Sequence, residues 1–394
     1  VPEIWSLNPD GFVMVSAAAD LMSQEELAAW LRLLETPHVG RLSARRLLAA
    51  FGSPEAVFDA SSSAWQHLVE ARAAHALKTE PEGHDKRVEA TWAWLQADER
   101  HHLLVMGDAR YPAALLDLPD PPLALYVIGA PVWLNQPAMA MVGSRHPSPQ
   151  GREDARAFAK AFSQAGLTVV SGLALGIDGA AHEGALEGPG STVAVVATGL
   201  DRVYPRTHHD LAHRIAGEGA LISEFSLGTP PVATHFPMRN RLIAGLSLGT
   251  LVVEAALQSG SLITARLATE AGRDVFAMPG SIHNPQSRGC HALIKQGAKL
   301  VESTQDVLDE LNFLAIKRTP PESVPSIETS PAVVAVATDD PLWIALGHDP
   351  VTLDVLQIRT GWDAARLSTH LFELEMGAQV TRLPGGLFQR IERG

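Results

Sequence analysis

Five short segments bring glycines, hydroxyls, cations and aromatics to points where an apolar run gives way to a helical pattern. In MVGSRHPSPQGRED, Gly143 permits close backbone approach, Ser144 offers a hydroxyl and Arg145 a planar cation. The helix that follows presents free N–H groups, completing an anion site of the phosphate-binding kind. SGLALGIDGAAH is again glycine-rich, with Gly172 in the turn, Asp178 placed to cap the next helix and His182 one turn later. TGLDRVYPRTHHD sets Tyr204 beside Arg206, a ring able to stack on a base next to a guanidinium able to meet a nucleic-acid backbone. HFPMRNRLIAGLS opens a helix with Arg239, Asn240 and Arg241 behind Phe236, and one of those two arginines is expected to face inward as a structural partner. EAALQSGSLITARLA places Ser259, Gly260, Ser261 and Thr264 at another helix start, a second cradle of hydroxyl and amide donors.

What the five segments share is donors and cations. They contain few free carboxylates and no Ser-His-Asp order, so they suit phosphate binding and offer no general base or nucleophile. Glu224 and Glu254 fall at strand ends, where they suit anchoring of loops. No segment reads GxGxxG or GxxxxGK[ST], so neither a dinucleotide nor a nucleoside triphosphate is indicated and no cofactor is expected. Asp178 with His182, and His209 with His213, are pairs at helical spacing, but two ligands are too few for a metal site, and such histidines are more often solvated. The single cysteine, Cys290, excludes an intrachain disulfide and a multi-thiolate zinc site and fits a reducing cytosol.

The elements that must position these segments follow from periodicity. Between residues 138 and 301 the runs AMAMV, LTVVS, TVAVVA, ALISEF, TLVVEA, DVFAMPG and AKLV alternate with amphipathic helices, one of which carries Ala155, Phe158, Ala159 and Phe162 on one face. Apolar strands alternating with helices predict a parallel sheet covered on both faces, a Rossmann-like, doubly wound α/β fold whose ligands bind beyond the strands' carboxyl ends. Residues 22–100 read as a small all-α domain, in which HVGRLSARRLLAAFGSPEAVFDAS resembles a helix-hairpin-helix or SAM-like element without the hairpin's second glycine. Residues 101–315 form the Rossmann-like core, opened by two strands around a proline-rich crossing. Residues 316–340 form a Pro/Ser/Thr-rich linker, and residues 341–394 a winged helix ending in a hairpin turned by Gly385 and Gly386. Residues 1–21 read as a tail rather than a secretory signal, because Glu3 and Asp10 stand where positive charge belongs.

Bulk composition narrows the partners. With 394 residues, 46% hydrophobic and 19% charged, the chain is globular and of more than one domain. Its 31 Lys and Arg against 44 Asp and Glu give a net charge of −13, so any nucleic-acid site must be a local cluster rather than a basic coat. No segment approaches the roughly 18 uninterrupted apolar residues of a membrane span.

Taken in order, GSR, SGLALGID, YPRTH, SEF, FPMRNRLIAGLS, VVEA, SGSLITA and PGS resemble the DNA-processing protein A (DprA/Smf) family of bacterial recombination mediators across residues 101–301. The resemblance implies a cytoplasmic, non-enzymatic protein that binds single-stranded DNA, protects it and loads the RecA recombinase during natural transformation, as a homodimer formed through the core. It also implies DNA-contacting roles for Arg145 and for Arg206, the basic residue after the Tyr-Pro pair. Two departures reduce the positive charge: Leu175 stands where some members carry a basic residue, and Val232 to Thr234 lack a lysine. For the dimer, GCHALIKQGAKLV with Leu293, Ile294 and Leu300 is a candidate segment. The rival enzyme, a nucleotide hydrolase similar to the LOG or lysine-decarboxylase-like families, would need a PGGxGTxxE loop, whereas SGSLITARLATE lacks the glutamate at that spacing. A third reading, a winged-helix regulator, is disfavoured by charge, because Asp363, Glu373 and Glu375 offset Arg366 and His370 in the recognition helix.

Overall fold

The computed structural model describes residues 22–311, 313, 340–347, 350–377, 379–383 and 386–391. The expected tail and almost all of the expected linker lie outside these residues. The chain divides into two compact units between Trp94 and Leu95.

In the first unit, α1 (Gln24–Glu35), α2 (Arg41–Phe51), α3 (Pro54–Asp59), α4 (Ser62–Gln66), α5 (Ala71–Ala76) and α6 (His84–Ala97, running past the division) carry an all-helical module. Ser23 caps α1 by accepting from the Glu26 N–H. Between α2 and α3 the chain turns at Gly52, whose φ of 90° suits glycine, and Ser53 then caps α3.

The second unit is built on a nine-stranded sheet. Its strands are β1 (His101–Val105), β2 (Ala124–Gly129), β3 (Ala138–Val142), β4 (Thr168–Ser171), β5 (Thr192–Val195), β6 (Ala220–Ser223), β7 (Gly249–Val252), β8 (Asp274–Ala277) and β9 (Lys299–Leu300). The order is β1-β2-β6-β5-β4-β3-β7-β8-β9, and every pair from β6 to β9 is parallel. All seven strands read from the sequence are present. The first two strands extend the sheet: β1 pairs with β2 and β2 with β6, both antiparallel.

Interleaved are α7 (Pro149–Ala165), α8 (Ile177–Ala185), α9 (His209–Glu218), α10 (His235–Gly245), α11 (Ser261–Glu270), α12 (Arg288–Lys295) and α13 (Thr304–Glu310). Alternation along β3 shows why both faces are covered. Ala138, Ala140 and Val142 pack into one cluster with Leu242, Leu246 and Ala265 of α10 and α11. Met139 and Met141 pack into another with Phe158, Phe162 and Ala181 of α7 and α8. Cys290 is buried among the first set, where desolvation pushes its thiol up to about 12.

At the carboxyl end, α14 (Pro341–Leu346), α15 (Leu353–Thr360) and α16 (Ala364–Met376) share a small core with β11 (Val380–Leu383) and β12 (Leu387–Arg390). A short β10 (Val351–Thr352) pairs with β12 and makes the wing three-stranded, an addition to the expected hairpin. In the turn of that hairpin Gly386 has φ 72°, while Gly385 lies outside the described residues.

Candidate nucleic-acid interface

The strand order sets the place of the site. From β3 the chain winds outward through β4, β5 and β6, then returns to lay β7 on the other side of β3. Loops leaving β3 and β7 therefore run to helices on opposite faces and open a crevice at the strands' carboxyl ends. The Ser144 N–H donates to the Glu254 carbonyl at 2.7 Å and ties the two loops together at its floor. The crevice widens into a trough of about 760 Å³, lined by Gly143, Ser144, Arg145, Tyr204, Phe236, Arg239, Asn240, Ser259, Ser261 and Thr264. Gly260, Ala174 and Asp178 line it too, so all five segments chosen from sequence contribute. Gly172, Arg206 and Arg241 do not line it.

Several of the chosen residues are scaffold. Arg239 is buried, and its Nη1 donates to the carbonyls of Gly172 and Val195, both at 2.5 Å. Its Nε–H has no hydrogen-bond partner among the described residues. A Cβ on Gly172 would lie 2.0 Å from that Nη1, so glycine is required for the guanidinium to bed against the turn. Burial pushes the Arg239 guanidinium down to about 10, against the pull of Asp178, with Arg145 adding to the depression. Burial likewise raises the Asp178 carboxyl, against Arg239. Arg241 is buried too, on Glu224 through Nη2 and on the Asp120 carbonyl through Nη1 at 2.8 Å. Both arginines thus point inward where one was expected to, and neither presents a free charge. Gly172 is buried as well, with its carbonyl and N–H both engaged.

Asp178 holds the loop instead of capping the helix. The N-cap of α8 is Gly176, and the Asp178 carboxylate accepts from the Gly172 and Ala174 N–H groups at 3.1 and 3.3 Å. Gly176 needs to be glycine: its φ is 82°, and a Cβ there would meet the Ser144 carbonyl at 2.3 Å. His182, expected to be solvated, has no exposure; its Nε2 accepts from the Leu173 N–H, and its Nδ1 lies 2.7 Å from the Thr192 hydroxyl. Burial, with His208 and the Arg239 guanidinium nearby, lowers its pKa to about 3. Glu254 anchors a loop, as anticipated: it accepts from the Ser148 hydroxyl at 2.6 Å and the Ser148 N–H at 2.8 Å at the start of α7. His209 and His213 are exposed, with their Nε2 atoms 3.2 Å apart. No cluster of three or more metal-ligating side chains occurs among the described residues.

Above this scaffold lies an exposed set. Tyr204 is 46% exposed, its ring 5.7 Å from that of Phe236. The Arg145 guanidinium stands over the other ring of the pair, 5.7 Å from the Phe236 centroid. Aromatic ring faces beside an exposed planar cation suit a base next to a phosphate. Ser259 and Ser261 share a hydroxyl hydrogen bond at 2.6 Å on the far wall, where Gln258 and Gln286, not anticipated from sequence, add amides.

The arginines of the sheet unit sort themselves by place. Arg100, Arg110, Arg156, Arg202, Arg214, Arg266 and Arg273 each form an ion pair with an Asp or Glu. Arg145, Arg152, Arg206 and Arg288 are exposed and make no ion pair among the described residues. All four follow the carboxyl ends of strands: Arg145 and Arg152 after β3, Arg206 after β5 and Arg288 after β8. In a chain of net charge −13, four guanidinium groups of the sheet's strand-end loops and helix starts are thus left without an ion pair among the described residues. By contrast, cations of α16 are engaged locally. Arg366 stacks on Trp362 at 4.0 Å, and His370 bridges Asp340 and Glu373 at 2.9 and 3.0 Å, which raises its pKa, Asp340 foremost.

Comparison with known proteins fits this geometry. A family model described as DNA recombination-mediator protein A matches residues 102–312, more than half of the chain. The chain belongs to this family. Its flanks match as well: the DprA-like N-terminal HHH domain over residues 24–61 and the DprA winged helix domain over residues 327–386. Among relatives of this recombination-mediator chain, the Smf protein of Escherichia coli is 44% identical over 310 residues, covering 78% of the chain and 82% of the relative. The DNA processing protein DprA of Streptococcus pneumoniae is 48% identical over 206 residues, covering 52% and 73%. The X-ray structure of S. pneumoniae DprA superposes with a TM-score of 0.64 at 36% identity, covering 72% of the chain and 97% of that structure. A Helicobacter pylori DprA structure, described as giving insight into a unique single-stranded DNA binding mode, matches with a TM-score of 0.50 at 31% identity, covering 55% and 97%.

Proposed function

We propose that this protein binds single-stranded DNA in the rim trough, protects it and passes it to the RecA recombinase, without catalysing a reaction. The observation that carries the proposal is the exposed Tyr204 ring set beside the half-buried Phe236 ring and the unpaired Arg145 guanidinium, in a trough at the switch point of the sheet. Phosphates meet Arg145 and Arg206, a base stacks on Tyr204 or Phe236, and the Ser259–Ser261 wall and Asn240 donate to the backbone or base edges. Stacking needs unpaired bases, so the trough discriminates against duplex. The single-stranded DNA binding described for the H. pylori relative supports this assignment. Carboxylates bordering the site are occupied by the scaffold: Asp178 by two N–H groups, Glu254 by Ser148 and Glu224 by Arg241. These three carboxylates are therefore not free to act as a base for nucleotide hydrolysis.

As a cytoplasmic mediator in natural transformation, the protein is proposed to act as a homodimer through the β9 edge of the core. There Leu300 is 49% exposed, while Leu293 and Ile294 pack partly onto the core. The test is a titration of a labelled oligonucleotide and its matching duplex at several salt concentrations. The single strand should bind far more tightly, with affinity falling as salt rises; equal affinity for both would refute the proposal. Light scattering, and RecA filament nucleation on the bound strand, test the dimer and the loading step.

A further inference from the structure

A second, smaller cavity of about 380 Å³ adjoins the trough and shares Arg145 with it. Arg152, Thr207, His208 and Glu183 stand around it, over Gly176 and Gly179 of the α8 start. We infer that this cavity is a phosphate subsite that takes the DNA backbone as it leaves the aromatic trough, with Arg152 as its principal contact. The inference rests on the reading that the trough holds single-stranded DNA.

Three observations support it. Arg152 sits in the first turn of α7, exposed and without an ion pair among the described residues, whereas Arg156 one turn later is neutralised by Glu187. A cation left unneutralised at a helix N-terminus lies where the helix dipole also favours an anion. The loop after β5 delivers side chains to both cavities in succession: Tyr204 to the trough, then Thr207 and His208 to the second. One strand following that loop passes from base stacking to backbone contact within a few atoms of Arg145. Finally, the second cavity is held in shape. His208 Nδ1 donates to the Leu173 carbonyl at 3.0 Å, and its ring lies so close to α8 that a Cβ on Gly179 would meet its Cε1 at 2.8 Å. Glu183 also lines this cavity and would repel a phosphate from its own side of it.

The experiment is a length ladder of labelled oligothymidines, from about four nucleotides upward, titrated with the full chain and with Arg152→Gln, Arg152→Glu and Arg145→Ala. Short oligomers that occupy only the trough should bind wild type and Arg152→Gln alike. Beyond a threshold length the wild type should gain affinity, and Arg152→Gln should lose about tenfold, with a salt slope shallower by about 0.7. Arg152→Glu should lose more, again only above that length. Equal affinities for wild type and both Arg152 variants at every length, or a loss independent of length, would overturn the subsite while an Arg145→Ala defect left the trough standing. Failure of the wild type to bind any oligomer would remove the reading on which the subsite rests.

Discussion

Replacing Arg145 by Ala tests the DNA contact with little cost to the fold, because this side chain is exposed and makes no ion pair among the described residues. Its one ring contact, with Phe236 at 5.7 Å, is at an exposed site and contributes about 0.5–1 kcal/mol. The charge-assisted bond to phosphate that it would lose is worth about 1.5–3 kcal/mol. That corresponds to a roughly 10- to 150-fold weaker Kd for single-stranded DNA. The salt dependence should lose about 0.7 of slope, since one fewer counterion equivalent is released per phosphate. Fluorescence anisotropy across a salt series measures both quantities, and calorimetry checks that the thermal midpoint is close to wild type. An Arg145→Ala protein that binds within twofold of wild type with the same slope would refute the assignment of this guanidinium to the DNA backbone.

Arg241→Ala should behave in the opposite way, costing about 3–5 kcal/mol of stability by stranding the buried Glu224 carboxylate, measured by denaturant unfolding. Arg239→Met should likewise destabilise the turn at Gly172. Tyr204→Ala and Phe236→Ala should each weaken binding by about 1–3 kcal/mol with an unchanged salt slope, because stacking releases no counterions. Asp154→Asn gives a pH signature. Burial, aided by Glu254, raises this carboxyl to about 6 against a hydrogen bond from Gln150, so the folded protein binds a proton in the window between about 6 and the ordinary 3.8. Stability from this group is present below 3.8 and is lost as pH rises through 6, so the amide should stabilise at pH 8 by about 1–3 kcal/mol, allowing for partial solvation. The advantage should vanish below about pH 4, as thermal melts at the two pH values would show.

The fold was legible because its strands are buried on both faces, so AMAMV and its counterparts stand out as apolar runs between amphipathic helices. The site was legible in outline because a doubly wound sheet sends its strand-end loops to one rim, and ten chosen residues line one trough there. Residue type alone could not tell scaffold from contact. Arg239 and Arg241 look as available in sequence as Arg145, and what turns Arg241 inward is a partner 121 positions away at Asp120, together with Glu224. His182 reads as a surface histidine until Thr192 and Leu173 enclose it. Arg152 is followed directly by Glu153 and Asp154 in sequence, so its freedom from an ion pair among the described residues is visible only in the structure. The antiparallel addition of β1 and β2 follows from the pairing of β2 with β6 and of β1 with β2, which periodicity within each strand does not encode.

The most direct test is a crystal structure of the protein with a short oligothymidine. The account predicts a base stacked on Tyr204 or Phe236, with an adjoining phosphate on Arg145 at the carboxyl ends of β3 and β7. DNA lying instead on the opposite edge of the sheet, or held by the winged helix with the trough vacant, would contradict it.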